Sequence, residues 1–254
     1  MKCFLVFFFF FLASFSTALA DDDLVIGALG NSATAGVGTI GPLANRETSW
    51  STGWCPWVYS HHQRLEDKFP HTKIWPINMS VLGATSKVLP FEAKVLALFH
   101  PDYVTVMTGA NDICHEKIDL ISVQENFVET IEILIGSNQN VKILIVPIPY
   151  MRDVYHWAST LDRCKFVDTI RNIECARIFN STDEEREEVF LEVEKLNLLF
   201  THIAQQYPNN VKFPEEIINY RIQPELLSVY DCFHPSLEGQ NILSRLTWQY
   251  GWFN

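Results

Sequence analysis

The sequence is short of basic residues, with 19 lysines and arginines against 30 aspartates and glutamates and a formal net charge of −11 at pH 7. A chain this acidic lacks the cationic surface that neutralises phosphate groups, which argues against a nucleic-acid partner. The same deficit argues against electrostatic docking on anionic lipids. Charged residues make up 19% of the chain and hydrophobic residues 48%, which favours a folded protein with a buried core.

Beyond its first residues, the sequence also lacks an apolar run long enough to span a bilayer. Residues 4–13 are almost all apolar, Lys2 precedes them, and residues 18–20 read Ala-Leu-Ala, which fits the small-x-small rule for signal-peptide cleavage. The run is too short for a membrane anchor, because a span needs about 20 apolar residues. We therefore predict a signal peptide over residues 1–20, cleaved near Ala20, and a secreted or periplasmic protein without a stable membrane anchor.

No Cys-x-x-Cys pair occurs, and the adjacent His61 and His62 have no accompanying pattern of carboxylates. Both absences argue against a zinc site, and we predict neither a metal nor a cofactor. Of the 6 cysteines, Cys3 lies in the predicted signal peptide, so five remain and at least one thiol must stay free. The sequence leaves the pairing of the others open.

Short apolar runs alternate with segments of helical periodicity along most of the chain. The predicted strands are residues 24–29, 74–79, 102–108, 141–148 and 209–213, and the predicted helices include residues 50–69, 87–99 and 123–135 and a last helix from Ser236. This alternation is typical of parallel strands joined by crossover helices. We therefore predict an α/β fold with a doubly wound, mainly parallel sheet, in a single domain over residues 21–254.

Two segments have their own patterns. Residues 150–206 contain overlapping capping-box patterns at 181–185, followed by apolar residues at helical spacing, and we predict a mostly helical insertion or cap. In the helix predicted over residues 50–69, three tryptophans lie three and four residues apart, a spacing that predicts a buried helix face. They are Trp50, Trp54 and Trp57.

Candidate catalytic residues lie in the predicted loops. In sheets of this type ligands bind beyond the carboxyl ends of the strands, and Ser32 follows the first strand in a Gly-rich turn. A nucleophilic serine needs a base, and the base needs an orienting carboxylate. Asp231 and His234 would supply both, but Asp112 and His115 have the same spacing and also follow a strand. Spacing alone does not separate the two pairs.

Four loops together resemble the sequence blocks of the GDSL or SGNH hydrolase family. The similar stretches are Gly30-Asn31-Ser32, Gly83 within residues 82–86, Thr108-Gly109-Ala110-Asn111-Asp112, and the Asp-x-x-His-Pro pattern that begins at Asp231. They occur in the family's order, and the resemblance covers essentially the whole mature chain. The phospholipase B-like members look most similar, on residues 49–51 and 109–114.

This resemblance implies a flavodoxin-like, three-layer αβα sandwich and a serine esterase. It implies that Ser32 attacks the acyl carbon, that His234 takes and returns the proton, and that Asp231 fixes the tautomer of His234. The oxyanion would be held by the backbone N–H groups of Ser32 and Gly83 and by the side-chain amide of Asn111. The favoured catalytic pair is thus Asp231 and His234.

The resemblance also suggests the substrate, a lipid ester of the phospholipase or lysophospholipase type. A carbohydrate O-acetyl or short-acyl esterase is an alternative, as is a catalytically silent binding protein of the same fold. Either enzyme would bind a small-molecule ester or lipid, and we expect a monomer. One position departs from the family, because Asn31 stands where an aspartate is usual, and we expect it to act as a neutral turn cap.

Overall fold

The computed structural model describes residues 23–167 and 174–254, so the predicted signal peptide over residues 1–20 lies outside the described residues. The strands are β1 (Leu24–Gly30), β2 (Ile74–Asn78), β3 (Tyr103–Met107), β4 (Lys142–Ile145) and β5 (Val211–Lys212). The helices named below are α1 (His61–Lys68), α2 (Leu89–Ala97), α3 (Ala110–Cys114), α4 (Leu120–Ser137), α5 (Met151–Thr160), α6 (Ala176–Phe179), α7 (Asp183–Gln206) and α8 (Leu237–Gln249).

The five strands of this sheet are all parallel, in the order β2-β1-β3-β4-β5. The predicted α/β fold is therefore confirmed. Pro76 is accommodated because β2 is an edge strand, where a missing N–H removes no bond to a further strand. The strand that follows β1 in the chain, β2, lies on one side of β1, and the next strand, β3, lies on the other side. At such a change of direction a crevice opens between the carboxyl ends of the two strands, here β1 and β3.

Alternating side chains on the strands point to two different cores. Val104 and Val106 join the larger cluster, which includes buried residues of α2, α4 and α7. Tyr103 and Met107 point to the opposite face and join a second cluster with residues of α1 and α8. Helices on both faces of the sheet give the three layers that the resemblance implies.

The long helix α7 begins where the capping-box pattern predicts. Its N-cap is Thr182, whose hydroxyl accepts the N–H of Glu185 at 3.3 Å, while the Glu185 carboxylate accepts the N–H of Thr182 at 2.9 Å. These reciprocal bonds satisfy two N–H groups that the first helical turn leaves without partners. That residues 150–206 form an insertion or cap stays a prediction.

The helix predicted over residues 50–69 is wrong in its first half, because α1 begins only at His61. Upstream, the N–H groups of Trp54 and Cys55 both donate to the Glu47 carbonyl at 2.9 Å, which holds this stretch as a loop. Pro56 follows directly, and the residue before a proline is disfavoured in helical geometry. Backbone pairing with a distant residue, which periodicity cannot show, therefore decides the conformation.

The prediction of a buried tryptophan face fails with that helix. Trp50 is fully buried in the core between the sheet, α1 and α8. Trp54 and Trp57, however, are 55% and 73% exposed. Without a helix between them, the three side chains share no common face.

Two disulfides link one segment to two separate loops. Cys175 bonds to Cys114 at the end of α3, and Cys164 bonds to Cys232, which lies before α8. Cys55 is a free thiol, so the odd cysteine that the count predicts is confirmed. The segment between α5 and α6 is thereby tied covalently to the loop after β3 and to the loop that holds Asp231.

Candidate active site

The turn after β1 directs Ser32 to the carboxyl edge of the sheet. Gly30 ends the strand with φ at 144°, a region that L-residues rarely adopt, and a Cβ at this position would lie 2.3 Å from the Met107 carbonyl oxygen. Only glycine therefore fits where the strand ends. Ser32 follows two residues later and is 9% exposed.

The structure brings together Ser32, His234 and Asp231. His234 Nε2 lies 2.7 Å from Ser32 Oγ, and His234 Nδ1 lies 2.9 Å from Asp231 Oδ2. An ionised carboxylate can only accept, so Nδ1 carries the proton and Nε2 accepts from the hydroxyl. In this arrangement a histidine can remove the proton of a serine hydroxyl.

The Asp231 carboxylate accepts hydrogen bonds from the backbone of its own loop, and these bonds hold the loop in place. Asp231 Oδ1 accepts the N–H groups of Phe233 and His234, each at 2.9 Å. Burial would raise the pKa of Asp231, but the hydrogen bond and charge of His234 and these two N–H groups together lower it below its usual value. Cys232, at the centre of the turn, has a left-handed φ of 54° and is fixed by its disulfide.

The competing pair, Asp112 and His115, does not form a similar arrangement. The Asp112 carboxylate instead accepts the N–H of Ser86 at 2.9 Å and its hydroxyl at 2.6 Å. His115 is exposed at the end of α3. Asp112 thus fixes the start of the short helical turn at Ser86–Val88 and orients no imidazole.

Two further predicted residues, Asn111 and Gly83, lie on neighbouring loops. Asn111 lines the cleft beside Ser32, and its amide donates one hydrogen to the Ala84 carbonyl at 2.9 Å, which leaves the second hydrogen available. Gly83, next to Ala84, is exposed and has φ at 72°, and a Cβ there would meet no atom within 4 Å. Backbone conformation, not crowding, therefore favours glycine at this position.

Asn31 caps the turn that holds Ser32. Its Oδ1 accepts the N–H of Ala33 at 3.1 Å, so the side chain bridges over Ser32. We expect Asn31→Leu, which has a similar volume but no acceptor, to lower kcat by up to about 100-fold, because small misplacements of reacting groups are costly. Steady-state hydrolysis of a soluble ester measures this loss.

Asn31→Asp is the matched control, since it keeps the acceptor and restores the residue that is usual in similar proteins. We expect it to retain or modestly raise activity. A leucine variant equal to wild type in both kcat and thermal midpoint would contradict the capping role.

An apolar cleft opens beside Ser32 and His234. Its walls come from α5, α8, the loop after β4 and the segment before Asp231. Its aliphatic and thioether side chains include those of Ile148, Met151, Val154, Ile217, Ile222 and Ile242. Sequence patterns did not identify these walls, because they come from segments far apart in the chain.

Sequence reasoning also missed Glu92. This residue is a single acid in the apolar start of α2, and its carboxylate oxygen Oε2 accepts the N–H of Gly30 at 2.8 Å. An acidic residue among the apolar residues that begin this helix is the signal that could have found it.

Solved structures similar to this one include esterases and lipases. A structure of TesA is 19% identical with a TM-score of 0.54, and covers 89% of this chain and 97% of its own. The psychrotrophic esterase EstA from Pseudoalteromonas sp., inhibited by monoethylphosphonate, is 17% identical with a TM-score of 0.53, and covers 90% and 96%. The lipase Lip_vut3 from a goat rumen metagenome is 16% identical with a TM-score of 0.56, and covers 90% and 97%.

At such low identities the structural superposition, and not the sequence, establishes a shared fold. A comparison with curated protein sequences finds no match. The family model described as the GDSL-like Lipase/Acylhydrolase family matches residues 28–242, which include Ser32, Gly83, Asn111, Asp231 and His234. The chain therefore belongs to the GDSL-like lipase/acylhydrolase family and is a hydrolase of ester bonds.

Proposed function

We propose that the protein hydrolyses carboxylic esters through an acyl-enzyme on Ser32. The hydroxyl oxygen bonds to the acyl carbon while its proton passes to His234 Nε2, and that proton then leaves with the alcohol. Water, deprotonated by the same nitrogen, releases the acid and restores the hydroxyl. Asp231 holds the ring and stabilises its positive charge during both steps. The 2.7 Å and 2.9 Å contacts of His234 support these roles.

The negative charge on the acyl oxygen is proposed to meet three donors. They are the backbone N–H groups of Ser32 and Gly83 and the amide hydrogen of Asn111 that is not bonded to Ala84. Such donors act most strongly where charge develops, and loss of one typically costs about 3–4 kcal/mol of transition-state stabilisation. The bond from Asn111 to Ala84 keeps the amide oriented before a substrate arrives.

The proposed substrate is a lipid ester, and the apolar cleft is the observation that carries this proposal. Beyond Ser32, His234 and Asn111, its walls are mainly aliphatic side chains of α5, α8 and the segment before Asp231. Burying a methylene of an acyl chain against such walls contributes about 0.8 kcal/mol. A polar sugar would lose hydrogen bonds to water without gaining protein partners there.

Exposed side chains on the loops that follow or carry the site residues support the same substrate class. Apolar side chains are exposed on these loops at Ile40, Leu43, Leu82 and Val229. The loop with Ile40 and Leu43 starts at Ser32, where the N–H of Val37 donates to the Ser32 carbonyl at 3.1 Å. Exposed apolar side chains on these loops suit a lipid better than a carbohydrate.

We further propose that residues 21–254 are one domain and that residues 150–206 cap its site. Met151 and Val154 of α5 lie in the wall of the cleft, which supports a part in substrate binding.

Two disulfides support export to an oxidising compartment, as do residues 1–20 with their signal-peptide pattern. In the described ranges, no helix has both the length and the apolar character needed to cross a membrane. We propose a secreted monomer.

Acyl-chain preference tests the proposed substrate. We expect kcat/KM on p-nitrophenyl esters to rise from acetate toward medium and long chains, and phosphatidylcholine and its lyso form to be hydrolysed. Ile242→Trp places a larger side chain in the cleft wall on α8 and should shift the preference toward shorter chains. Its activity on acetate should stay within about threefold of wild type, since each lost methylene contact affects long chains only.

Ile121→Trp is the matched control, because Ile121 is exposed on α4 and does not line this cleft. It should leave the chain-length profile unchanged. Highest activity on acetate or on acetylated sugars would favour the short-acyl or carbohydrate alternative. Inertness on every ester would overturn the proposed activity of this chain.

A further inference from the structure

Glu92 is a carboxylic acid buried beneath the candidate active site. It lies on α2 and is 1% exposed, and its Oε2 accepts the N–H of Gly30 at 2.8 Å. Gly30 precedes Ser32 by two residues and is the point where the chain leaves β1 in a left-handed conformation. The carboxyl therefore contacts the backbone that decides the direction of the nucleophile turn.

The same carboxyl lies where two loops meet. The N–H of Val81, two residues before Gly83, donates to the Gly30 carbonyl at 2.9 Å. The Val81 N–H also lies close enough to the Glu92 carboxyl to lower its pKa. The turn that ends in Ser32 and the turn that ends in Gly83 thus share one buried anchor.

The second oxygen of this carboxyl, Oε1, is buried and has no hydrogen-bond partner among the described residues. An ionised carboxylate left in this state would be costly. Burial raises the pKa of Glu92 to about 8, although the N–H groups of Gly30 and Val81 act in the opposite direction. At neutral pH the group is therefore mainly the neutral acid, which can still accept through Oε2.

We propose that Glu92 is a positioning residue for ester hydrolysis, which holds the Gly30 amide and thereby sets the position of the Ser32 hydroxyl and N–H. The inference rests on the proposed role of Ser32 as nucleophile. An apolar side chain would fill the same space but leave the Gly30 N–H buried without a partner. The turn could then recover a partner only by moving, and Ser32 would move with it.

Ionisation of Glu92 would place a negative charge beneath the two loops that carry Ser32 and Gly83. That charge opposes a negative charge on the acyl oxygen, so turnover should fall as the pH rises through the pKa of Glu92. The other titratable groups on α2 and on the elements packed against it, the turn at 86–88 and α4, are Lys87, Lys94, Glu125, Glu129 and Glu132. None of these charges is among the causes of the Glu92 shift, which are burial and two backbone N–H groups.

Two substitutions separate positioning from simple packing. Glu92→Gln imitates the neutral acid, because an amide oxygen can accept from Gly30 and the NH₂ replaces the OH. Glu92→Met keeps the length but removes the acceptor. We expect the methionine variant to lose about tenfold or more in kcat with KM within about twofold, and the glutamine variant to stay within about threefold of wild type at pH 7.

Kinetics on a soluble ester at pH 6–10 and the rate of fluorophosphonate labelling measure the loss of kcat and its dependence on pH. Circular dichroism checks the folded fraction of each variant. Wild type should lose turnover above about pH 8, and Glu92→Gln should not show this loss. If the methionine variant does not fold, the comparison of wild type with Glu92→Gln across pH still tests the proposal.

The proposal is overturned if a folded Glu92→Met variant matches wild type in kcat and labelling rate, or if Glu92→Gln is as impaired as Glu92→Met. An alkaline decline that is identical in wild type and Glu92→Gln also contradicts it. Ser32→Ala separates this failure from failure of the proposed function. If Ser32→Ala stays active, the nucleophile is wrong; if it is inert while Glu92→Met is normal, only the positioning role is wrong.

Discussion

Ser32→Ala is expected to lower ester turnover by about 10⁴-fold or more, because the proposed acyl-enzyme cannot form without the hydroxyl. The fold should persist, since this hydroxyl contributes one hydrogen bond, to His234, and little packing. Initial rates on a soluble p-nitrophenyl ester measure the loss, and the thermal midpoint tests the fold. A fluorophosphonate probe should label wild type at Ser32, and mass spectrometry of the digested protein identifies the site.

Ser122→Ala is the matched control for Ser32→Ala, because Ser122 lies on α4, outside the lining of the cleft. It should keep full activity and full labelling at Ser32. Labelling of another serine, or an Ser32→Ala variant that turns over normally, would show that the nucleophile lies elsewhere.

His234→Ala is expected to have a similarly large effect, again about 10⁴-fold or more in kcat, since Ser32 would lose the proposed base for its proton. His115→Ala should change kcat by less than about threefold, because His115 is exposed and lies apart from the Ser32 contacts. The two alanine variants are compared on the same ester and at the same pH. The reverse ranking would identify Asp112 and His115 as the working pair.

Local pattern was sufficient to predict most of the fold. Along β3 and β4 the side chains alternate between the two cores, so that neighbouring residues such as Val104 and Tyr103 face opposite layers. Capping chemistry fixed the start of α7 at Thr182. The loop around Trp54 was not predictable in this way, because its backbone bonds to Glu47 and not to its own helical neighbours.

The candidate site was predictable only in part, for a similar reason. Asp231 and Asp112 have the same local spacing to a histidine. Asp231 bonds to that histidine, whose other ring nitrogen meets the distant Ser32, whereas Asp112 bonds to the distant Ser86. Glu92 lies far along the chain from Gly30, and only the packing of α2 beneath the sheet edge joins them. Contacts of this kind arise from the tertiary fold and leave little trace in a single sequence.

The covalent anchor of the Asp231 loop depends on the redox conditions that the chain meets. The cross-links overlap in sequence, because the span from Cys114 to Cys175 contains Cys164, whose partner, Cys232, lies outside that span. Neither bridge can exist while the chain is kept reduced, so the turn between Asp231 and His234 has no covalent anchor at that stage. If the protein is exported as proposed, this anchor would form only after the chain leaves the compartment where it is made, and until then the hydrogen bonds of Asp231 alone would hold the turn.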